Sequence, residues 1–162
     1  CRGMAEALPY LNDSFDIIFS DNVLEHLPNP RSVFTEVGRV LKPGGFFLVK
    51  TPNRYHYVTL ISRMTSTSFH RWFNSLRGRQ ERDTFPTMYA ANTPGMIEQL
   101  ASTARLRVEK LLLLEGRPEY CRIHPLMYLV GAAYERLVNA ILALKRFRLV
   151  LIGVIEKDKP IS

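Results

Sequence analysis

The sequence predicts an α/β fold. Two short apolar runs, Phe15 to Ser20 and Phe46 to Lys50, are bounded by turn residues as buried strands of a parallel sheet are, and a stretch of helical periodicity lies between them. Strand, helix and strand joined by short turns make a βαβ unit, with parallel strands and a right-handed crossover.

The elements follow in order. Asn12-Asp13-Ser14 is the turn that opens the first strand. Asn29-Pro30 supplies a helix cap and a first-turn proline, after which Val33, Phe34, Val37, Val40 and Leu41 recur at helical spacing. Lys42-Pro43-Gly44-Gly45 stops this helix, because proline cannot continue its hydrogen bonding and glycine accepts the angles of a tight reversal. Phe46 to Lys50 is then the next strand. From Arg54 to Ala91 periodicity is lost and Arg, Ser, Thr, Tyr, Phe and His dominate, which marks an insertion or lid at about 54–91. Asn92-Thr93-Pro94 starts a further helix carrying Met96, Ile97, Leu100 and Ala104, and Leu106 to Leu114 reads as a strand. Pro125 to Leu144 is a strongly apolar helix and Leu149 to Glu156 a final strand.

Composition bounds the rest. With 162 residues, 46% of them hydrophobic, the chain can bury one core and is short for two independent domains, so 1–162 is expected to be one domain or a piece of one. Cys1 and Cys121 form no CxxC pair, which leaves neither a disulfide framework nor a cysteine zinc site and favours a reducing compartment. No charged stretch followed by an apolar run opens the chain, so nothing resembles a secretory signal and a cytoplasmic location is expected. Position 1 is not Met, which points to a piece of a longer protein. The net charge of +7 is uneven, with Arg71, Arg77, Arg79 and Arg82 crowded in the lid, and suggests an anionic partner. Nucleic acid is not expected, since no recognised binding motif accompanies the charge.

The helix at 125–144 is not a transmembrane span: Glu135, Arg136 and Asn139 fall in its middle, where a bilayer charges roughly 2.5 to 3.5 kcal/mol for each charged side chain. Its apolar arc of Leu129, Val130, Leu137, Val138, Ile141 and Leu142 fits core packing or a homodimer contact better than a peripheral membrane contact.

The run Ser14-Phe15-Asp16-Ile17-Ile18-Phe19-Ser20-Asp21-Asn22-Val23-Leu24-Glu25-His26-Leu27, followed by Arg39-Val40-Leu41-Lys42-Pro43-Gly44-Gly45, closely resembles the class I S-adenosylmethionine-dependent methyltransferases. Upstream, Ala5-Glu6-Ala7-Leu8-Pro9-Tyr10 is similar to the stretch before the fourth strand of that family. The resemblance spans roughly the first 53 residues. It implies a Rossmann-like sheet in which Phe15 to Ser20 is the fourth strand and Phe46 to Lys50 the fifth. Leu106 to Leu114 and Leu149 to Glu156 become the sixth and seventh, the last inserted antiparallel. The first strands, with the glycine-rich loop and the acidic residue that grips the ribose, are missing from the sequence.

The resemblance also implies S-adenosylmethionine as cofactor, with Met4, Ala5 and Glu6 bordering the adenine and Ser20, Asp21, Asn22 and Val23 lining its methionine part. Met4 stands where the family commonly has an Asp that accepts from the adenine amino group. This agrees with the rule that open α/β sheets bind ligands outside the carboxyl ends of their strands. His26, beside such an end, is a candidate general base for O-methylation, and Asp21, at the same mouth, a second catalytic candidate. The quinone O-methyltransferase branch holds a metal with an acid plus the Glu-His pair; here Glu25 and His26 match but Asn22 replaces the acid, so no metal is expected.

The aromatic and histidine content of the lid makes it a substrate cover. Asn53, Tyr55, His56, Arg77, Arg79 and Tyr89 are the candidate substrate residues, and a small-molecule, sugar or lipid-linked anionic acceptor fits the arginines. A non-catalytic methyltransferase-like binding module is the alternative. No Gly-x-Ser-x-Gly elbow, paired metal-ligand helix or Walker loop is present to support a hydrolase, zincin or nucleotidase.

Overall fold

A computed structural model describes residues 3–65 and 87–159. The chain forms two compact units, the first from Cys1–Thr51, Thr87–Leu112 and Leu151–Ser162, the second from Pro52–Pro86 and Leu113–Val150. Among the described residues no helix is long and apolar enough to cross a membrane.

The first unit is built on the sheet. Strand β1, Phe15–Asp21, leads through a 3-10 turn at Leu24–His26 to helix α1, Pro30–Val40. Asn29 caps α1 by accepting from the Ser32 N–H at 3.3 Å, and Pro30 occupies the first turn, where its missing N–H costs nothing. Val33, Phe34, Val37 and Val40 are buried on one face, and the Phe34 ring meets Phe47 edge to face, centroids 5.5 Å apart. The helix ends at Val40, where the extended Leu41 still donates its N–H to the Val37 carbonyl. Leu41 therefore belongs to the next strand and not to the helical face.

Strand β2 runs Leu41–Pro52, longer than the apolar run alone predicts. Lys42-Pro43-Gly44-Gly45 lies inside it as an irregularity: β1 and β2 pair in parallel with Phe15 opposite Leu41 but Ile17 opposite Phe46. Proline fits here because it has no ladder donor to lose, and Gly44 takes φ +76°. Gly45 is there for space, since a Cβ would sit 2.9 Å from the Lys42 carbonyl oxygen and 3.0 Å from that of Asp16.

Helix α3, Pro94–Thr103, starts as its sequence predicts, with Thr93 Oγ1 accepting from the Met96 N–H and Pro94 in the first turn. Strand β3, Leu106–Leu114, follows, and strand β4 is Val150–Lys157. The sheet order is β1-β2-β4-β3, so the final strand is inserted between its predecessors as the resemblance implies. Its direction follows from its neighbours. Along β2, Gly153 lies against Val49 while Lys157 reaches back to the Leu41 carbonyl; along β3, Gly153 lies against Leu111 while the Asp158 N–H meets the Arg105 carbonyl. As β4 advances, both neighbours recede, so it is antiparallel to both.

One guanidinium fastens the residues before β1. Arg39 donates to the carbonyls of Leu8 and Tyr10 and to Asn12 Oδ1, and pairs with Glu36 at 2.6 Å. Glu36 in turn accepts from the Leu8 N–H at 2.8 Å, and the Arg39 hydrogen bonds hold its carboxyl below the ordinary value.

The second unit contains helix α2, Tyr57–Met64, and helix α4, Pro125–Ala140, followed by a 3-10 turn at Leu142–Phe147. Part of the stretch expected to lack periodicity is thus helical, and the helix expected to reach Leu144 stops at Ala140. Both helices are capped by a histidine: His56 Nδ1 accepts from the Val58 N–H and His124 Nδ1 from the Leu126 N–H, each at 3.2 Å. The interior of this unit is polar and aromatic. Asn53 donates its amide to the carbonyls of Arg146 and Arg148 at 2.7 Å each, and Arg148 donates to those of Leu113, Val138 and Asn139. His56, Tyr57 and Tyr134 pack against one another at centroid distances of 4.3 to 5.6 Å, Tyr134 edge to face with the other two. Burial pushes the Tyr57 hydroxyl far above its ordinary value, helped by its contact with Cys121, and burial followed by the nearby Glu115 charge pushes Tyr134 up to about 12.

Two expectations follow. Gly45→Ala drives a methyl into two backbone oxygens and destabilises the first unit by about 1–3 kcal/mol, read from urea unfolding; unchanged stability would show that the strand irregularity yields. The tyrosines favour the neutral form when folded, so their contribution is intact below the ordinary tyrosine value and is lost as pH rises from there through about 12. Ultraviolet titration should show two phenols ionising only with unfolding, and Tyr134→Phe should remove one of them.

Candidate functional site

The carboxyl ends of β1 and β2 lie side by side, with Asp21 opposite Lys50. Lys50 Nζ pairs with the Asp21 carboxylate at 2.9 Å, and Asn22 Nδ2 donates to the same carboxylate at 2.9 Å. Asn22 then turns the chain off the sheet in the left-handed region, φ +52°, while its N–H donates to the Lys50 carbonyl. Asparagine is one of the few residues with a side chain that tolerates this conformation.

Beyond this kink the 3-10 turn is pinned from below. Leu24 and Leu27 are buried, as is Glu25, whereas Val23 and His26 face outward. Glu25 is tied twice. Its Oε2 accepts from the Thr51 hydroxyl at 3.0 Å, and Thr51 Oγ1 accepts from Asn92 Nδ2 at 2.6 Å. Its backbone oxygen accepts from the N–H groups of Met88 and Tyr89 at 2.6 and 3.2 Å. One residue therefore joins the loop after β1, the end of β2 and the segment before α3. His26 Nε2 stands 4.0 Å from Glu25 Oε1, too far for a hydrogen bond.

The structure thus gathers Asp21, Asn22, Val23, His26 and Tyr89 around one strand-end loop, with Ser20 at the end of β1. Asp21 already receives Lys50 and Asn22, which suits it to a cation better than to proton abstraction. Tyr89 reaches the loop through its backbone, and its side chain is buried. Met4, Ala5 and Glu6 lie in a turn closed by the Ala7 N–H on the Met4 carbonyl, with Met4 exposed.

Three substrate candidates belong to the second unit. Asn53 is fully buried, with its amide donating to two backbone carbonyls, so it acts as a structural hub of this unit. His56 is likewise interior: Nδ1 caps α2, and Nε2 faces the buried Glu115 carboxylate at 3.3 Å. Only Tyr55 is exposed. Arg77 and Arg79, with the rest of 66–86, lie outside the described residues. Among the described residues no three His, Cys, Asp or Glu converge on a point that could hold a metal. The Thr51–Asn92 link was missed; Asn92 reads from sequence only as part of a helix start.

Residues 1–49 match the family model of a methyltransferase domain. An "Uncharacterized methyltransferase" of Mycobacterium tuberculosis is 48% identical over 48 residues, 30% of this chain and 19% of the relative. A "Probable S-adenosylmethionine-dependent methyltransferase" of Mycolicibacterium smegmatis is 44% identical over 53 residues, 33% of this chain and 21% of the relative. The matched stretch thus spans about a fifth of the relatives' length. In structure the chain resembles a SAM-dependent methyltransferase of Methanosarcina mazei, at 17% identity and TM-score 0.54, over 97% of this chain and 66% of that one. It also resembles the 4+2 cyclase SpnF, at 14% identity and TM-score 0.55, over 97% and 56%. These likenesses establish the fold, an open sheet of the Rossmann-like class I methyltransferase type. Since a cyclase shares it, residues and not fold decide the reaction.

Thr51→Val tests the buried link. It removes the donor to Glu25 and the acceptor of Asn92, at a cost of about 1–3 kcal/mol in urea unfolding, against about 1 kcal/mol for the single methyl lost in Thr51→Ser. Equal stability of the two variants would show that the link contributes nothing.

Proposed function

From a chain whose first 49 residues match a methyltransferase domain and whose fold is that of class I S-adenosylmethionine-dependent methyltransferases, we propose that the whole protein transfers the methyl group of S-adenosylmethionine to an acceptor oxygen. The acceptor is a small molecule, sugar or lipid-linked compound of anionic character. The observation that carries this reading is the Asn22 kink at the paired ends of β1 and β2. It exposes Asp21 and Val23 at the place where open α/β sheets take their ligands.

The residues present suit one side of that cofactor. The half-exposed Asp21 carboxylate offers a partner to an ammonium group, and Val23 offers an apolar contact beside it. When bound, S-adenosylmethionine supplies a methyl group on a sulfonium, which an acceptor displaces in line. The chain needs no covalent nucleophile for this; it orients the acceptor, excludes water and takes up a proton. His26 takes that role, with an outward imidazole and the Glu25 carboxylate behind it to balance the charge gained. The positive balance of the sequence, and the arginines between 71 and 82, support an anionic acceptor.

Calorimetry on the full-length protein should register S-adenosylmethionine and S-adenosylhomocysteine, and Asp21→Asn should weaken both. His26→Ala should lower turnover by about 10² to 10⁴ with S-adenosylhomocysteine affinity unchanged. Absence of cofactor binding by the full-length protein would end the reading, and undiminished turnover would return His26 to a structural role.

A further inference from the structure

Helix α4 has two apolar faces, and only one is used. Gly131 and Val138 are buried on the inner side. Leu126, Leu129, Val130 and Leu137 fall within an arc of about 100° on the other side at 3.6 residues per turn, and they are 51 to 64% exposed. Just past the end of the helix Ile141 and Leu142 are exposed too, at 44% and 73%. The sequence leads one to expect this arc in core packing or a homodimer contact; of its residues Val138 alone is buried, on the side where Gly131 packs against Pro118 and Cys121. Scattered exposed leucines are ordinary, but a continuous stripe marks a contact surface.

The charge around the stripe identifies what it contacts. At its amino end Arg117, Arg122 and His124, with Glu119 paired to Arg122, rim a groove of about 560 Å³ that also takes in Tyr128 and Leu129. At its carboxyl end Lys145 and Arg146 are exposed in the 3-10 turn, and Arg136 flanks the middle. Positions 117 to 148 hold six Arg or Lys against two Glu. Glu119 pairs with Arg122 and Arg148 is held by backbone carbonyls, which leaves Arg117, Arg136, Lys145 and Arg146 against Glu135, a cationic excess. A second copy packed antiparallel along the stripe would set the Arg122 end of one helix against the Lys145 and Arg146 end of the other, like charge on like charge.

We propose that this stripe docks in the plane of a bilayer containing anionic phospholipid. The 16 residues of α4 reach about 24 Å, short of the roughly 30 Å hydrocarbon core, so the helix lies in the interface and does not cross it. Its leucines enter the acyl boundary, while Arg136, Lys145 and Arg146 remain among the headgroups. This surface is independent of the methyl-transfer reading.

Flotation of the full-length protein with phosphatidylcholine vesicles, with and without phosphatidylglycerol, tests the proposal. Binding is expected to need phosphatidylglycerol and to fall with salt. Leu129→Gln with Leu137→Gln, both at exposed positions, should lower partitioning about tenfold or more with the circular dichroism spectrum unchanged. Lys145→Gln with Arg146→Gln should lower it severalfold and flatten the salt dependence. No binding to phosphatidylglycerol vesicles, equal binding by the double leucine variant, or a concentration-dependent dimer abolished by that variant would overturn it.

Discussion

The loop that carries the candidate site exists because a carboxylate is buried beneath it. Removing a charged group from water is expensive unless it is hydrogen-bonded, and Glu25 is held at Oε2 by the Thr51 hydroxyl, itself held by Asn92. The backbone oxygen of the same residue receives two further N–H groups from Met88 and Tyr89. These bonds fix where three separated stretches of chain come to rest. His26 and Val23 are outward because Glu25, Leu24 and Leu27 are inward, so the exposed chemistry is set by the buried chemistry one residue away.

Features decided within a few residues were legible in the sequence. Asn29-Pro30 and Thr93-Pro94 state a cap and a first turn, and the structure places both there. The run from Leu106 to Leu114 forms a strand over those residues, as its turn-bounded apolar run predicts. The kink at Asn22 was legible as a position, the end of a strand, though not as a conformation.

Features decided by partners distant in sequence were not. The Lys42 to Gly45 irregularity is defined by pairing with β1, so proline and glycine there read as a stop instead of a bulge. Asn53 and His56 have residue types common in binding sites, yet their partners are carbonyls and a carboxylate some 60 to 95 positions away. A histidine cap uses a ring nitrogen where Ser, Thr, Asp or Asn is the usual signal, which hid the start of α2. The apolar arc of α4 is visible in the sequence, but periodicity shows that a face exists and not what covers it.

The sheet order has a consequence for synthesis. Strand β4 is the last of the described strands and yet lies between β2 and β3, so both of those strands expose an unsatisfied edge until residues 150–157 leave the ribosome. The interval is long, since β2 ends at Pro52 and nearly a hundred residues are made before its neighbour arrives. A nascent chain stalled short of Val150 holds two open ladders with apolar residues such as Val49 and Leu106 beside them, the surface that chaperones recognise and that unattended chains use to aggregate. Completion of this sheet therefore waits for β4, which acts as the wedge that closes it.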